Sequence, residues 1–206
     1  MSEHADTVLT IGHSTHSIEA FEALLRQHGV SGVADIRSVP FSRYNPQFNE
    51  AAVESSLQSC GIRYEFLGRE LGARPDDPSC YEDGRVQYAR LARQELFLHG
   101  LDRVIQLAHE YRIALMCAEK EPLDCHRTLL VAPELIERGL SVAHILADGR
   151  VEPHQATMAR LLDAVGTAQA DLFRSQSELL KEALARQQER VAYLDVRMKA
   201  DEVRGF

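Results

Sequence analysis

The chain has 206 residues, 45% of them hydrophobic and 26% charged, with a formal net charge of −8. This is the composition of one ordinary globular domain, or one domain with an appendage, and is long enough to bury a proper core. The acidic balance argues against non-specific binding to nucleic acid or anionic lipid, which needs a surplus of Lys and Arg. No apolar run reaches the length of a membrane span and Met1–Asp6 has no basic-then-apolar leader, so the expected location is cytoplasmic.

Thr7-Val8-Leu9-Thr10-Ile11 reads as a first strand, stopped by Gly12-His13-Ser14. Ser17 caps a helix whose apolar face carries Phe21 and Leu24-Leu25, and Gly29 ends it. Val33-Ala34-Asp35-Ile36 is a second strand. A long segment with two prolines follows, from Arg37 to Phe48, and loops of that length in compact domains are often functional. Asn49 is placed to cap a helix through Val53 and Leu57, closed by Gly61. Ile62–Leu67 alternates as a third strand, and Gly68-Arg69-Glu70-Leu71-Gly72 opens another irregular stretch.

Helical patterning returns from Tyr88 to about Tyr111, with a pause near Gly100. Ile113-Ala114-Leu115-Met116 is a buried fourth strand, and Cys117–Arg127 is the loop that follows it. Leu129-Leu130-Val131 and Leu135-Ile136 form the inner face of the next helix, and Val142–Leu146 is a fifth strand closing at Asp148-Gly149. Strands alternating with helices predict an α/β, compact three-layer domain with a mainly parallel five-stranded sheet over residues 1–154. Residues 155–206 read as a helical C-terminal extension. Its apolar positions include Leu161-Leu162, Leu172-Phe173, Leu179-Leu180 and Leu184 and keep no strict heptad, which suits packing on the domain or a homodimer.

In a parallel sheet these strands deliver chemistry to one edge, where α/β folds bind ligands. The expected contributions are His13 and Ser14; Asp35, Arg37 and Ser38; Arg69 and Glu70; Cys117, Glu119, Cys125, His126 and Arg127; and Asp148. Arg37, Arg69 and Arg127, with Arg43 and Lys120 nearby, suit a phosphate- or carboxylate-bearing ligand. The alternative is that Arg37 pairs with Asp35 and Arg69 with Glu70 to tie loops down.

Cys125, near a helix start beside His126 and Arg127, is a candidate nucleophile; Cys117 is the other, or a resolving thiol. His13 or His126 is then the general base, oriented by Glu119 or Asp35. Two further readings use the same atoms. One is a module that binds a nucleotide or nucleic-acid end without chemistry. The other is a metal site of Cys117, Cys125, His126 and His13, although the Cys-x₇-Cys-His spacing is unusual and neighbouring Cys and His side chains seldom reach one ion. No cofactor motif and no resident metal is assigned from sequence.

Three motifs carry a resemblance: Ile11-Gly12-His13-Ser14, Asp35-Ile36-Arg37-Ser38-Val39-Pro40 with Ser42-Arg43, and Cys117-Ala118-Glu119 with Cys125-His126-Arg127. Together with Asn45–Asn49 and Leu67–Gly72 they resemble the domain of unknown function family numbered 488, over about Thr7 to His154. The resemblance implies a compact α/β fold in bacterial cytosolic proteins and no settled reaction.

Overall fold

The computed structural model describes residues 7–165 and 175–201; Leu172 and Phe173 of the expected apolar stripe lie outside these. In chain order the elements are β1 (Thr7–Gly12), α1 (Ile18–Gln27), β2 (Gly32–Asp35), α2 (Glu50–Ser59), β3 (Arg63–Phe66), α3 (Gly68–Leu71), β4 (Tyr81–Glu82) and β5 (Arg85–Val86). They continue with α4 (Tyr88–Leu91), α5 (Glu95–Glu110), β6 (Ile113–Cys117), α6 (Ala132–Glu137), β7 (Ser141–Ile145), β8 (Val151–Pro153), α7 (His154–Val165), α8 (Gln176–Val191) and α9 (Val196–Asp201). Among the described residues no helix is long and apolar enough to cross a membrane.

The central sheet has six strands in the order β3-β2-β6-β1-β7-β8, against the five expected. The sixth, β8, runs antiparallel to β7, whereas the other five are parallel. Three residues ending in a proline give no alternation to read, and Pro153 is tolerated because β8 is an edge strand. The segment expected to be irregular after Gly72 contains a two-stranded antiparallel hairpin, β4–β5.

Alternation along the strands builds two apolar layers. Leu9, Ile11, Val33, Ala114 and Met116 face Phe21 and Leu25 of α1 and Val53 and Leu57 of α2. Val8, Ala34, Ile113 and Leu115 face Leu101 and Val104 of α5 and Leu135 of α6. The helix after β1 therefore covers one face and the helix after the neighbouring β6 covers the other. Where adjacent strands send their connections to opposite faces, a crevice opens between the loops at their carboxyl ends. Register puts Gly12 level with Cys117, and Asp35 level with Met116, so the loops meet at this point.

The tail packs on the loop after β6. Pro133 has no N–H for the carbonyl of Leu129, which instead accepts from Gln188 Nε2 at 2.7 Å. Gln187 donates to the Leu123 carbonyl at 2.6 Å, and Arg190 pairs with Asp124 at 2.6 Å. Beyond α8, Val86 N donates to Tyr193 O and Asp195 N to Gly84 O, which lays residues 193–195 beside the β4–β5 hairpin.

Two predictions follow from packing. A Cβ at Gly12 would stand 1.9 Å from the Glu119 carbonyl oxygen, so Gly12→Ala must push β1 and the loop apart. We expect a loss of about 2–3 kcal/mol in urea unfolding, and an unchanged midpoint would contradict this packing. The second concerns a buried chain in which Thr10 Oγ1 meets His144 Nδ1 at 2.8 Å and His144 Nε2 meets His154 Nδ1 at 3.1 Å. Burial, and for His144 the neighbouring His154, lower these imidazoles from 6.5 to about 3 and about 4. Above pH 6.5 both states are neutral and their contribution to stability is complete. As the pH falls toward 4 the unfolded chain takes up protons that the folded chain refuses, so stability must drop. His154→Gln should make the measured slope of unfolding free energy shallower across that window.

Candidate functional site

Backbone pairing of β1 and β6 continues past the strands: His13 N donates to Cys117 O at 2.8 Å and Ser14 N to Ala118 O at 2.9 Å. Ser14 takes a positive φ of 48°, which turns the chain away. The loop after Cys117 folds back around Arg127. This guanidinium is fully buried and donates to the carbonyls of Glu119 at 2.7 Å and Lys120 at 3.2 Å. Its Nε has no partner among the described residues.

Inside this loop four side chains converge. The Cys117 and Cys125 thiols each donate to Glu119 Oε2 at 2.9 Å. His126 Nδ1 lies 3.6 Å from Cys117 Sγ and 3.9 Å from Cys125 Sγ. One ligand-capable atom from each of the four lies within 4.8 Å of the others. On the far side of the ring, His126 Nε2 donates to the Ile36 carbonyl at 3.0 Å, which turns Nδ1 toward the sulfurs.

Adjacent residues reach one point here because the backbone changes character between them. Cys125 is extended (φ −136°, ψ 140°) and His126 is helical (φ −61°, ψ −25°), at the entry to a π-helical turn over Arg127–Val131. Such turns recur at functional sites. The fourth member is Glu119. The other metal candidate, His13, is occupied elsewhere: Nδ1 donates to Ser14 O at 2.9 Å, Nε2 accepts from Arg37 at 3.2 Å, and the ring stacks on Phe48 at 4.2 Å.

Electrostatics separate the thiols. Burial, then Cys125, pushes Cys117 well above the usual thiol range. Burial opposes ionisation of Cys125 too, but its neighbour Cys117 and the Arg127 charge outweigh it and hold Cys125 low. Burial and Cys125 raise the Glu119 carboxyl. Burial, then Arg37, lowers His13 to about 4, so it is neutral.

The group opens into a cleft of about 600 Å³ at the carboxyl edge of the sheet. His13, Ser14, Arg37, Ser38, Cys117, Glu119 and His126 line it, so the structure brings together three of the expected walls. Arg37 lines it as a committed group: its Nε and Nη2 bind Asp35 at 2.8 and 2.5 Å, and Asp35 also accepts from Tyr64 at 2.8 Å. Arg43 and Arg69 are exposed and outside the lining, and Arg127 is buried behind it. Glu70 is half-buried with Oε2 unpartnered, and Asp148 pairs with Arg150 at the β7–β8 turn. Gly68 and Gly72 support the loop after β2, since a Cβ on either would strike Arg37 O or Ser38 Oγ.

Sequence reasoning did not single out Phe41, Asn45, Arg74, Tyr88, Asp124, Val191 and Tyr193, which also line the cleft. Asn49 precedes α2 as expected, but its Oδ1 accepts from Ser42 N at 2.7 Å and holds the loop after β2 rather than the helix.

No curated protein and no solved structure matches the chain. The family described as domain of unknown function DUF488 matches residues 17–132, which takes in the Asp35–Ser38 and Cys117–Arg127 walls and begins just after His13 and Ser14. With more than half of its length matched, the chain belongs to the DUF488 family.

Proposed function

We propose that Cys117, Cys125 and His126 hold a soft divalent ion, zinc by the chemistry of the donors, and that the protein is a metal-dependent hydrolytic enzyme acting on a small ligand in the cleft. One observation carries this reading: two sulfurs, an imidazole lone pair and a carboxylate oxygen lie within 4.8 Å of one another. With zinc–sulfur and zinc–nitrogen bonds of about 2.3 and 2.0–2.1 Å, tetrahedral ligands stand about 3.6 Å apart. The two sulfur–nitrogen separations are 3.6 and 3.9 Å. The Ile36 carbonyl behind His126 is the partner that a ligating imidazole ordinarily has on its other nitrogen.

Three protein ligands and one position toward a cleft is the pattern of catalytic rather than structural zinc. Glu119 lines the cleft, so it can yield its place to water. A bound ion would supply an activated water; Glu119 is placed to take that water's proton and to return it to the leaving group as the ligand is hydrolysed. A cysteine nucleophile is the rival use of these atoms. Cys117 and Cys125 are only 2% and 1% exposed and both point at one carboxylate, which suits ligation better than attack on a substrate.

Elemental analysis of the full chain, purified from zinc-supplemented cells, is expected to find one zinc per chain. Cys117→Ser, Cys125→Ser and His126→Ala should each lose most of it. Glu119→Gln should keep the ion while hydrolysis, screened on phosphate esters and amides, falls by about 10² or more. A chain that neither carries nor takes up zinc would overturn the metal reading, and full activity in Glu119→Gln would remove its role as base.

A further inference from the structure

Besides the Cys117–His126 group, the cleft is lined by the segment after α3 and by the tail, which contribute Ala73, Arg74, Val191 and Tyr193. The charges along the cleft are mostly spent. Arg37 is bound by Asp35, Asp124 by Arg190, and Glu119 faces the thiols. Arg74 differs. Among the described residues it has no carboxylate within ion-pair distance, and its guanidinium lies over the Tyr193 ring, 4.5 Å from the centroid. A guanidinium parked on an aromatic face keeps its edge donors free for an oxyanion.

The loop after β2 also lines the cleft and adds matching groups. Ser42 Oγ already accepts from Tyr44 N at 3.2 Å and Asn45 N at 3.1 Å, so its hydroxyl proton remains to donate outward. The Asn45 side chain and Ser38 line the same wall. Beside them Phe41 holds its ring 63% exposed at the cleft, although Phe48 of the same loop is fully buried. Val39, 56% exposed, lines the same cleft, and adjoining exposed apolar side chains are the pattern of a surface that a ligand covers.

We propose that Arg74, held in place by Tyr193, anchors the anionic group of a ligand whose planar ring rests on Phe41, so that the substrate class is an oxyanion, a phosphate or carboxylate, carried on a planar ring. Arg74 is a binding residue and Tyr193 a positioning residue. This rests on the cleft being the reaction site, as above, and adds what enters it. It also assigns the tail a part in selection. Tyr193 lies outside the family-matched segment, and its placement depends on the strand-like pairing with Val86 and on the Arg190–Asp124 and Gln187–Leu123 ties. The arginines that read as anion ligands in sequence are thus replaced by one that sequence offered no reason to choose.

The test uses the full chain and four small probes, followed by titration calorimetry or by NMR shifts: phenyl phosphate, benzoate, phenol and inorganic phosphate. Phenyl phosphate or benzoate should bind, and whichever is tighter names the anion; phenol and inorganic phosphate, each lacking one half, should bind more weakly. Arg74→Ala should weaken the best probe by roughly tenfold or more, with Arg74→Lys between the two. Tyr193→Phe keeps the ring and should bind as the parent does, whereas Tyr193→Ala should lose affinity. Equal affinity in the parent and Arg74→Ala, or no binding of any probe at millimolar concentration, would overturn the proposal. Zinc content is measured on the same samples. Lost binding with full zinc defeats only this inference, and normal binding without zinc defeats only the metal reading.

Discussion

Everything at the site depends on one buried guanidinium. Arg127 fills the inside of the Cys117–Arg127 loop and holds two consecutive carbonyls, those of Glu119 and Lys120, turned inward. Gly12 lets β1 pass close enough for the Glu119 carbonyl to lie where a Cβ would be. Without that pair of constraints the loop would have no reason to bring Glu119 back over Cys117 and Cys125. A fully buried cation with only carbonyls as partners is costly, because carbonyl dipoles compensate a charge less well than a carboxylate does. The proposed centre would offset that cost: two thiolates would balance the charge of one divalent ion, and the Glu119 carboxylate next to them would leave net negative charge near Arg127.

The same loop shows why spacing rules for metal ligands are incomplete. They describe ligands on one regular element, where adjacent side chains diverge by about 100° on a helix or half a turn on a strand. Cys125 and His126 straddle the junction between an extended residue and a π-helical turn, and there the divergence closes. Pro133, by withholding a backbone donor at the start of α6, belongs to the same local departure from helical bonding. The carbonyl it frees is the one that Gln188 of the tail takes up, so the irregularity that shapes the site also docks the extension.

Much of the fold was legible because it is repetitive. The apolar runs of β1, β6 and β7, the cap at Ser17 and the glycines at 29 and 61 each place an element correctly, and a parallel sheet then obliges the strand ends to share an edge. The location of the site follows from that topology. What was not legible lies in pairings between distant segments. Arg37 has the same sequence signature whether it awaits an anion or holds Asp35, and only the folded arrangement shows it bound to Asp35 and His13. Arg74 sits in a stretch without period or motif, and Tyr193 is far along the chain in the tail, so nothing local marks either. β8 escaped notice because three residues cannot display a period.

These failures share a cause that bears on how the site is divided. In the proposed reading the ion-holding groups come from one local segment, the loop after β6, because such a group needs side chains within a few ångströms. The proposed selecting residues come from across the chain, in the loop after β2, the segment after α3 and residues 193–195 after α8, because a cleft of about 600 Å³ needs walls from several elements. The family match covers the ion-holding groups and two of those walls but ends before residues 193–195. Changes beyond residue 132 can therefore alter what enters the cleft without touching Cys117, Cys125 or His126. The C-terminal extension is in that sense a wall of the site, fastened to the loop it faces by Gln187, Gln188 and Arg190.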